Sequence, residues 1–262
     1  MSPQELAERL GRLLKRDARV LALFVEGSLA RADADAYSDL DLLLVAQEEH
    51  HGLLADLCRG YLQQCAPLVY WRTVADRHVH GITADGLRCD FCLTTPAAAR
   101  GRPREGIAVI WDRARIGETL GSALSPDTQH PARVSSIIDE FLRTLGLLPV
   151  VLGRAEYLAG VRHTERLRSL LLELLLEADG AGSRASALRL NACLSEASRQ
   201  CLAALPVPSA ERESIILAHR ACAAAFLPRA RALAHDAEVA WPEEFVAATA
   251  RWWGELGLDW PE

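Results

Sequence analysis

The stretch GSLARADADAYSDLDLLLV, residues 27–45, carries two opposed signals. Leu40, Leu42, Leu43, Leu44 and Val45 are what a buried strand is made of, yet Asp39 and Asp41 stand one residue apart in the same run. An ionised carboxylate taken out of water without a partner is costly. Side chains alternate across a strand, so Asp39 and Asp41 share one face while Leu40 and Leu42 point to the other. Two like charges on one face can both stay ionised if a divalent cation lies between them. Closely paired oxygen ligands suit Mg²⁺, which commonly takes one or two carboxylates together with substrate phosphates.

The neighbouring segments extend this reading. VLALFVEG (20–27) reads as a buried strand ending in glycine, and residues 28–32 as the first turn of a helix. Glycine there lets the backbone approach a phosphate. The helix start offers N–H groups and a favourable dipole to an anion, and Ser28 and Arg31 add a hydroxyl and a cation to the same place. Downstream, GLRCDFCLT (86–94) reads as a strand with Arg88, Asp90, Cys92 and Thr94 on one face and Leu87, Cys89, Phe91 and Leu93 on the core face. Asp90 is the candidate for a third carboxylate of the cradle. Further strands are expected at 68–74 and 107–111, with a loop over 75–86 between the first of these and the Asp90 strand. Helices are expected from the capping box at Ser2, Pro3 and Glu5 and over 47–65.

These parts together resemble the signature of the DNA polymerase beta-like nucleotidyltransferase superfamily: Gly27 and Ser28, about ten residues, then Asp39, Leu40, Asp41 and Leu42. The longer form GSLAR…SDLDLLL looks like the branch that holds the antibiotic nucleotidyltransferases, which act on aminoglycosides and lincosamides, and the minimal nucleotidyltransferases. Glu26 departs from the pattern, since an apolar or aromatic residue is commoner before the glycine. A carboxylate there can approach the metal site or face solvent.

The resemblance implies an α+β nucleotidyltransferase fold, a mixed sheet flanked by helices, followed by an all-helical domain. The change of texture near residue 128 divides the chain into an α/β half at 1–128 and a helical half at 129–262, which the resemblance makes a catalytic domain and a helical bundle that completes the substrate cleft. SPDTQHP (125–131) is the expected linker or helix start. Helices are then expected at roughly 132–151, 154–179, 184–204, 209–226, 229–237 and 243–255. The implied enzyme transfers a nucleoside monophosphate, AMP from ATP, to a hydroxyl of a small acceptor such as an aminoglycoside or lincosamide. Asp39, Asp41 and Asp90 are the implied catalytic and metal-binding residues, with two Mg²⁺ ions. Gly27, Ser28 and Arg31 are the implied nucleotide-binding residues. Asp90 takes the proton of the attacking hydroxyl, holds the second ion, or does both; Asp85 and Asp76 come next as bases. Arg162, Arg166 and Arg189 are candidates for neutralising pyrophosphate. Two other readings are an antitoxin-like nucleotidyltransferase that modifies a protein or RNA, and a nucleotide-binding module without turnover.

Composition narrows the partners. The net charge of −6, with Lys15 the sole lysine, gives no general attraction to nucleic acid, and no basic tract tracks a nucleic-acid backbone. No run approaches twenty uninterrupted apolar residues, so no membrane span is expected. The N-terminus has no secretory pattern, and the seven scattered cysteines read as reduced thiols, so a cytoplasmic location is expected. Several other signals carry bland readings. Cys89 and Cys92 point to opposite faces of one strand, His50, His51, His78 and His80 read as surface histidines, and Trp241, Trp252, Trp253 and Trp260 read as packing anchors. Arg212 and His219 fit the Arg-x6-His pattern of a ribonuclease helical domain, which chance explains in so arginine-rich a chain. The acids Glu140, Glu156, Glu173 and Glu177 could complement a cationic antibiotic, but each alone reads as exposed helix charge.

Overall fold

The computed structural model describes residues 1–75, 77–121, 130–180 and 190–261. It divides into two compact units, Met1–Leu124 and Ser125–Glu262. The first is a six-stranded mixed sheet flanked by helices and the second is all helical, which is the expected α+β architecture. Among the described residues no helix is long and apolar enough to cross a membrane.

Unit 1 runs α1 (Pro3–Leu14), β1 (Val20–Glu26), α2 (Gly27–Ala30), β2 (Leu40–Ala46), α3 (His51–Cys65), β3 (Leu68–Val74), β4 (His78–Thr83), β5 (Arg88–Thr94), α4 (Pro96–Arg100) and β6 (Ile107–Asp112). The strand order is β3-β4-β5-β2-β1-β6. Only β2 and β5 are parallel; every other neighbouring pair is antiparallel. The helix α1 starts as its sequence dictates: the Ser2 hydroxyl accepts from Glu5 N and the Glu5 carboxylate accepts from Ser2 N, two orphan donors satisfied at once.

The alternation along β1, β2 and β5 sorts the sheet into two faces. Leu40, Leu42, Leu44, Cys89, Phe91 and Leu93 join Leu6 and Leu10 of α1 and Leu54, Cys58 and Leu62 of α3 in the larger core. The other face is thinner, with Phe24, Leu43 and Val45 packed against Ala99 of α4 and against Ile116. Asp41, Asp90 and Glu26 alternate onto that thinner face. Cys89 and Cys92 fall on opposite faces.

One expectation is corrected. The stretch 75–86 is not a loop throughout: residues 78–83 form β4, paired with both β3 and β5. Val79, Gly81 and Thr83 are its buried positions. Gly81 is needed, because a Cβ there would sit 2.9 Å from Leu62 and 3.3 Å from the Trp71 ring. The glycine and two histidines that read as loop chemistry are a close-packed strand in this context.

Unit 2 comprises α5 (Pro131–Leu145), α6 (Leu148–Gly153), α7 (Tyr157–Ala178), α8 (Leu190–Cys193), α9 (Glu196–Ala203), α10 (Arg212–Asp236) and α11 (Glu243–Gly254). Most of the linker at 125–131 and the start of the helix expected at 184–204 lie outside the described residues, as do Asp76 and Arg189. Two prolines act in opposite ways. The single helix expected at 132–151 is two, α5 and α6, because Pro149 has no N–H for the Leu145 carbonyl. That carbonyl accepts instead from the Trp253 indole at 3.3 Å. The break expected at Pro228 does not occur, and α10 runs through it. Pro228 and Ala224, whose carbonyl loses its partner, are both exposed, while Phe226, Leu227 and Ala230 hold the helix to the core from the other side. At the centre of this core Phe141 and Phe226 stack with centroids 3.6 Å apart.

Candidate active site

The register places one ionisable side chain from each of five adjacent strands in a single line. Glu26 pairs with Asp41 across β1 and β2, and Asp41 with Asp90 across β2 and β5. Asp90 pairs with His80 across β5 and β4, and His80 with Arg72 across β4 and β3. The line crosses the thinly covered face. Asp39 adds a further carboxylate just before β2.

The carboxylates repel one another. Asp41 shows it: burial first, then the charges of Asp39, Asp90 and Glu26, push its carboxyl up to about 6, with Arg88 opposing. Each of the other three leans toward a cationic or hydrogen-bonding group. Asp39 lies 3.6 Å from the Arg88 guanidinium. Asp90 Oδ1 is 3.0 Å from His80 Nδ1. Glu26 Oε1 accepts from Arg102 at 2.5 Å. In this arrangement no three His, Cys, Asp or Glu side chains among the described residues are gathered tightly enough to ligate one ion.

Gly27 is fitted to this site. Its φ of +71° is a conformation that side-chain-bearing residues rarely adopt. A Cβ there would lie 2.8 Å from Asp41 Oδ2. Gly27→Ala should therefore cost roughly 1–2 kcal/mol of stability from backbone strain alone and displace the Asp41 carboxylate. Urea unfolding together with a divalent-cation titration checks both effects. Ser28 follows in the same short helical turn, with its carbonyl accepting from Asp33 N at 3.1 Å. Arg31 closes the turn, its Nε 3.4 Å from Asp33.

The structure thus gathers Gly27, Asp39, Asp41 and Asp90 at the end of β1 and along β2 and β5, with Ser28 and Arg31 on the adjoining turn. Asp85 is engaged elsewhere, with the Met1 amine at 3.0 Å and with the Thr83 hydroxyl. Arg166 is tied to Glu140 and Glu173 on its own unit, and Arg162 is exposed. His219 is fully buried and bonded to Ile215 O at 3.0 Å, so it is a core residue and not half of a ribonuclease Arg–His pair. Trp253 is likewise core, with Trp260 against its edge. Glu177 is buried beside Arg133 at 2.8 Å, so it is no exposed helix charge.

Arg102 and Arg72 were not singled out from sequence, and His80, which faces Asp90, reads there as a surface histidine of a loop bordering the site. The signal for His80 was available, since it alternates with the buried Val79 and Gly81 and sits opposite Asp90. Arg102 comes from a segment 76 residues from Glu26, and nothing local marks it.

No family model and no curated protein matches the chain. Among solved structures it is similar to an aminoglycoside 6-adenyltransferase from Bacillus subtilis, at 14% identity over 97% of this chain and 98% of that one, with a TM-score of 0.46. It is also similar to a nucleotidyltransferase-like protein from Exiguobacterium sibiricum 255-15, at 11% identity over 97% of this chain and 79% of that one, with a TM-score of 0.41.

Proposed function

We propose that the chain is a metal-dependent nucleotidyltransferase of the DNA polymerase beta-like superfamily, moving AMP from ATP to a hydroxyl of a small acceptor. The observation that carries this is the pairing of Asp41 with Asp90 across neighbouring strands, with Asp39 two residues before Asp41, which sets carboxylate oxygens next to the left-handed Gly27 turn. The donor set is all carboxylate oxygen, which suits Mg²⁺, and a cation beside Asp41 would relieve the repulsion that raises its pKa.

In this reading Asp39 and Asp41 hold Mg²⁺ against the triphosphate, and Asp90 holds a second ion, accepts the proton of the attacking hydroxyl, or both. The ions, when bound, stabilise the attacking and leaving oxygens of an in-line displacement. Gly27 lets the backbone come close to the phosphates, and Ser28 and Arg31 orient them. His80 fixes the direction of Asp90. An aminoglycoside or lincosamide is the acceptor class to which the GSLAR…SDLDLLL motif points.

The test incubates the protein with Mg²⁺ and α-labelled triphosphates against aminoglycosides, lincosamides, tRNA and cell lysate. Label on a small molecule is expected. Label on protein or RNA alone would move the activity to the macromolecular class, and no label at all would leave a binding module. Asp90→Asn should still bind nucleotide but lose most turnover. Wild-type turnover in that variant would remove Asp90 from the chemistry.

A further inference from the structure

The line of carboxylates holds one charge more than the three aspartates need. Glu26 is the direct register partner of Asp41 and one of the charges that press on it. It is also the carboxylate most firmly bound to a cation, with Arg102 Nη1 at 2.5 Å. Arg102 is held from its other side as well, since its Nη2 donates to Cys92 Sγ at 3.2 Å. Cys92 lies two residues beyond Asp90 on the same face of β5. The guanidinium therefore bridges β1 and β5 across β2, on the same side as Asp41. Arg102 is in turn anchored through its backbone, where its carbonyl accepts from Gly121 N at 2.9 Å and its N–H donates to Ala99 O at 3.0 Å. A guanidinium fixed at both ends this way is a pre-organised charge.

We propose that Arg102 is a positioning residue for the nucleotidyl-transfer site. It cancels the charge of Glu26 and holds that carboxylate away from Asp41, so that three and not four carboxylates act on the cations and the triphosphate. This rests on the reading of the site as a cation and triphosphate site. The physical consequence is a matter of sign. Removing the guanidinium leaves an uncompensated negative charge a few ångströms from Asp41. That charge attracts a bare divalent cation and repels a triphosphate. Removing the Glu26 charge while keeping Arg102 does the reverse.

The experiment measures Mn²⁺ binding without nucleotide, and separately the binding of ATP in saturating Ca²⁺, in five forms of the full chain. These are wild type, Arg102→Gln, Arg102→Lys, Glu26→Gln and the Glu26→Gln/Arg102→Gln double variant, each with a thermal melt. Arg102→Gln should bind Mn²⁺ more tightly and ATP more weakly, each by roughly tenfold. Glu26→Gln should shift both in the opposite direction. Arg102→Lys and the double variant should return both affinities to near the wild-type values. A merely structural arginine would not give shifts of opposite sign that cancel in the double variant. Unchanged affinities in both single variants would overturn the proposal. So would a double variant that still binds ATP poorly, which would make Arg102 a direct phosphate ligand. If wild type itself binds neither Mn²⁺ nor ATP, it is the underlying reading of the site that fails. Should Arg102→Gln not fold, Glu26→Gln against wild type still decides the sign.

Discussion

Asp41→Asn is expected to abolish nucleotidyl transfer while making the protein more heat-stable in the absence of divalent ions. The two effects have one cause. Asp41 sits between Glu26 and Asp90 in the register, with Asp39 two residues before it. Burial and those three charges hold its pKa at about 6, so at pH 8 it is ionised against all of them. Asparagine keeps the shape and removes the repulsion, and the melting temperature in EDTA at pH 8 should rise. In the proposed mechanism the same substitution also deletes a metal ligand. Loss of several kcal/mol of transition-state stabilisation corresponds to roughly a thousandfold or more in rate. Mg²⁺ with ATP should raise the melting temperature of wild type, because a ligand that binds only the folded state stabilises it by mass action. It should leave Asp41→Asn unmoved. Full activity in the variant would remove Asp41 from the site, and a lower melting temperature in EDTA would refute the account of repulsion.

The parts of this site that could be read from sequence are those that depend on local alternation. Asp39-Leu40-Asp41-Leu42 announces its own two faces, because a strand has period two whatever lies around it. The Asp90 strand can be read for the same reason. Gly27 was legible as a turn, though the reason for glycine, the Asp41 carboxylate against its missing Cβ, is a three-dimensional fact. What escaped depends on partners distant in the chain. β4 is a strand because Leu62 and Trp71 close over Gly81, and without them its glycine and histidines read as a loop. Arg102 meets Glu26 only once β6 and α4 have folded back onto β1. In unit 2 the meaning of a proline depended on burial. At Pro149 the abandoned carbonyl lies inside and needs Trp253, while at Pro228 it faces solvent and the helix continues. Sequence offers the same residue for both.

Unit 2 should also lose stability in mild acid, and His219 is the reason. The imidazole is fully buried between α10 and α7. Its Nδ1 lies 3.0 Å from Ile215 O and 3.1 Å from the Thr164 hydroxyl, while Nε2 has no hydrogen-bond partner among the described residues. With Nδ1–H donating to the Ile215 carbonyl, Nε2 is an unprotonated lone pair in an apolar setting. Burial pulls the pKa down from 6.5 to about 4, and His163 nearby adds to the fall. The folded-state value is below the unfolded one, so between about pH 6.5 and pH 4 the unfolded chain binds the proton that the folded chain refuses. Stability is then fully present above pH 6.5 and declines as pH falls through that window. For a shift of this size the loss is roughly 3 kcal/mol at pH 4. Against the 5–15 kcal/mol typical of a folded domain this is a large share. His219→Leu removes the titrating group and keeps an apolar side chain in place. The Thr164 hydroxyl retains its bond to Gly160 O at 3.1 Å. The variant should therefore be flatter between pH 6.5 and 4 than wild type, measured by urea unfolding of both at half-unit steps of pH. Carboxylates elsewhere contribute to acid unfolding of both proteins alike, so the difference between the two curves isolates the histidine. Parallel curves would mean that His219 takes up its proton in the folded state, through water reaching Nε2 between the helices.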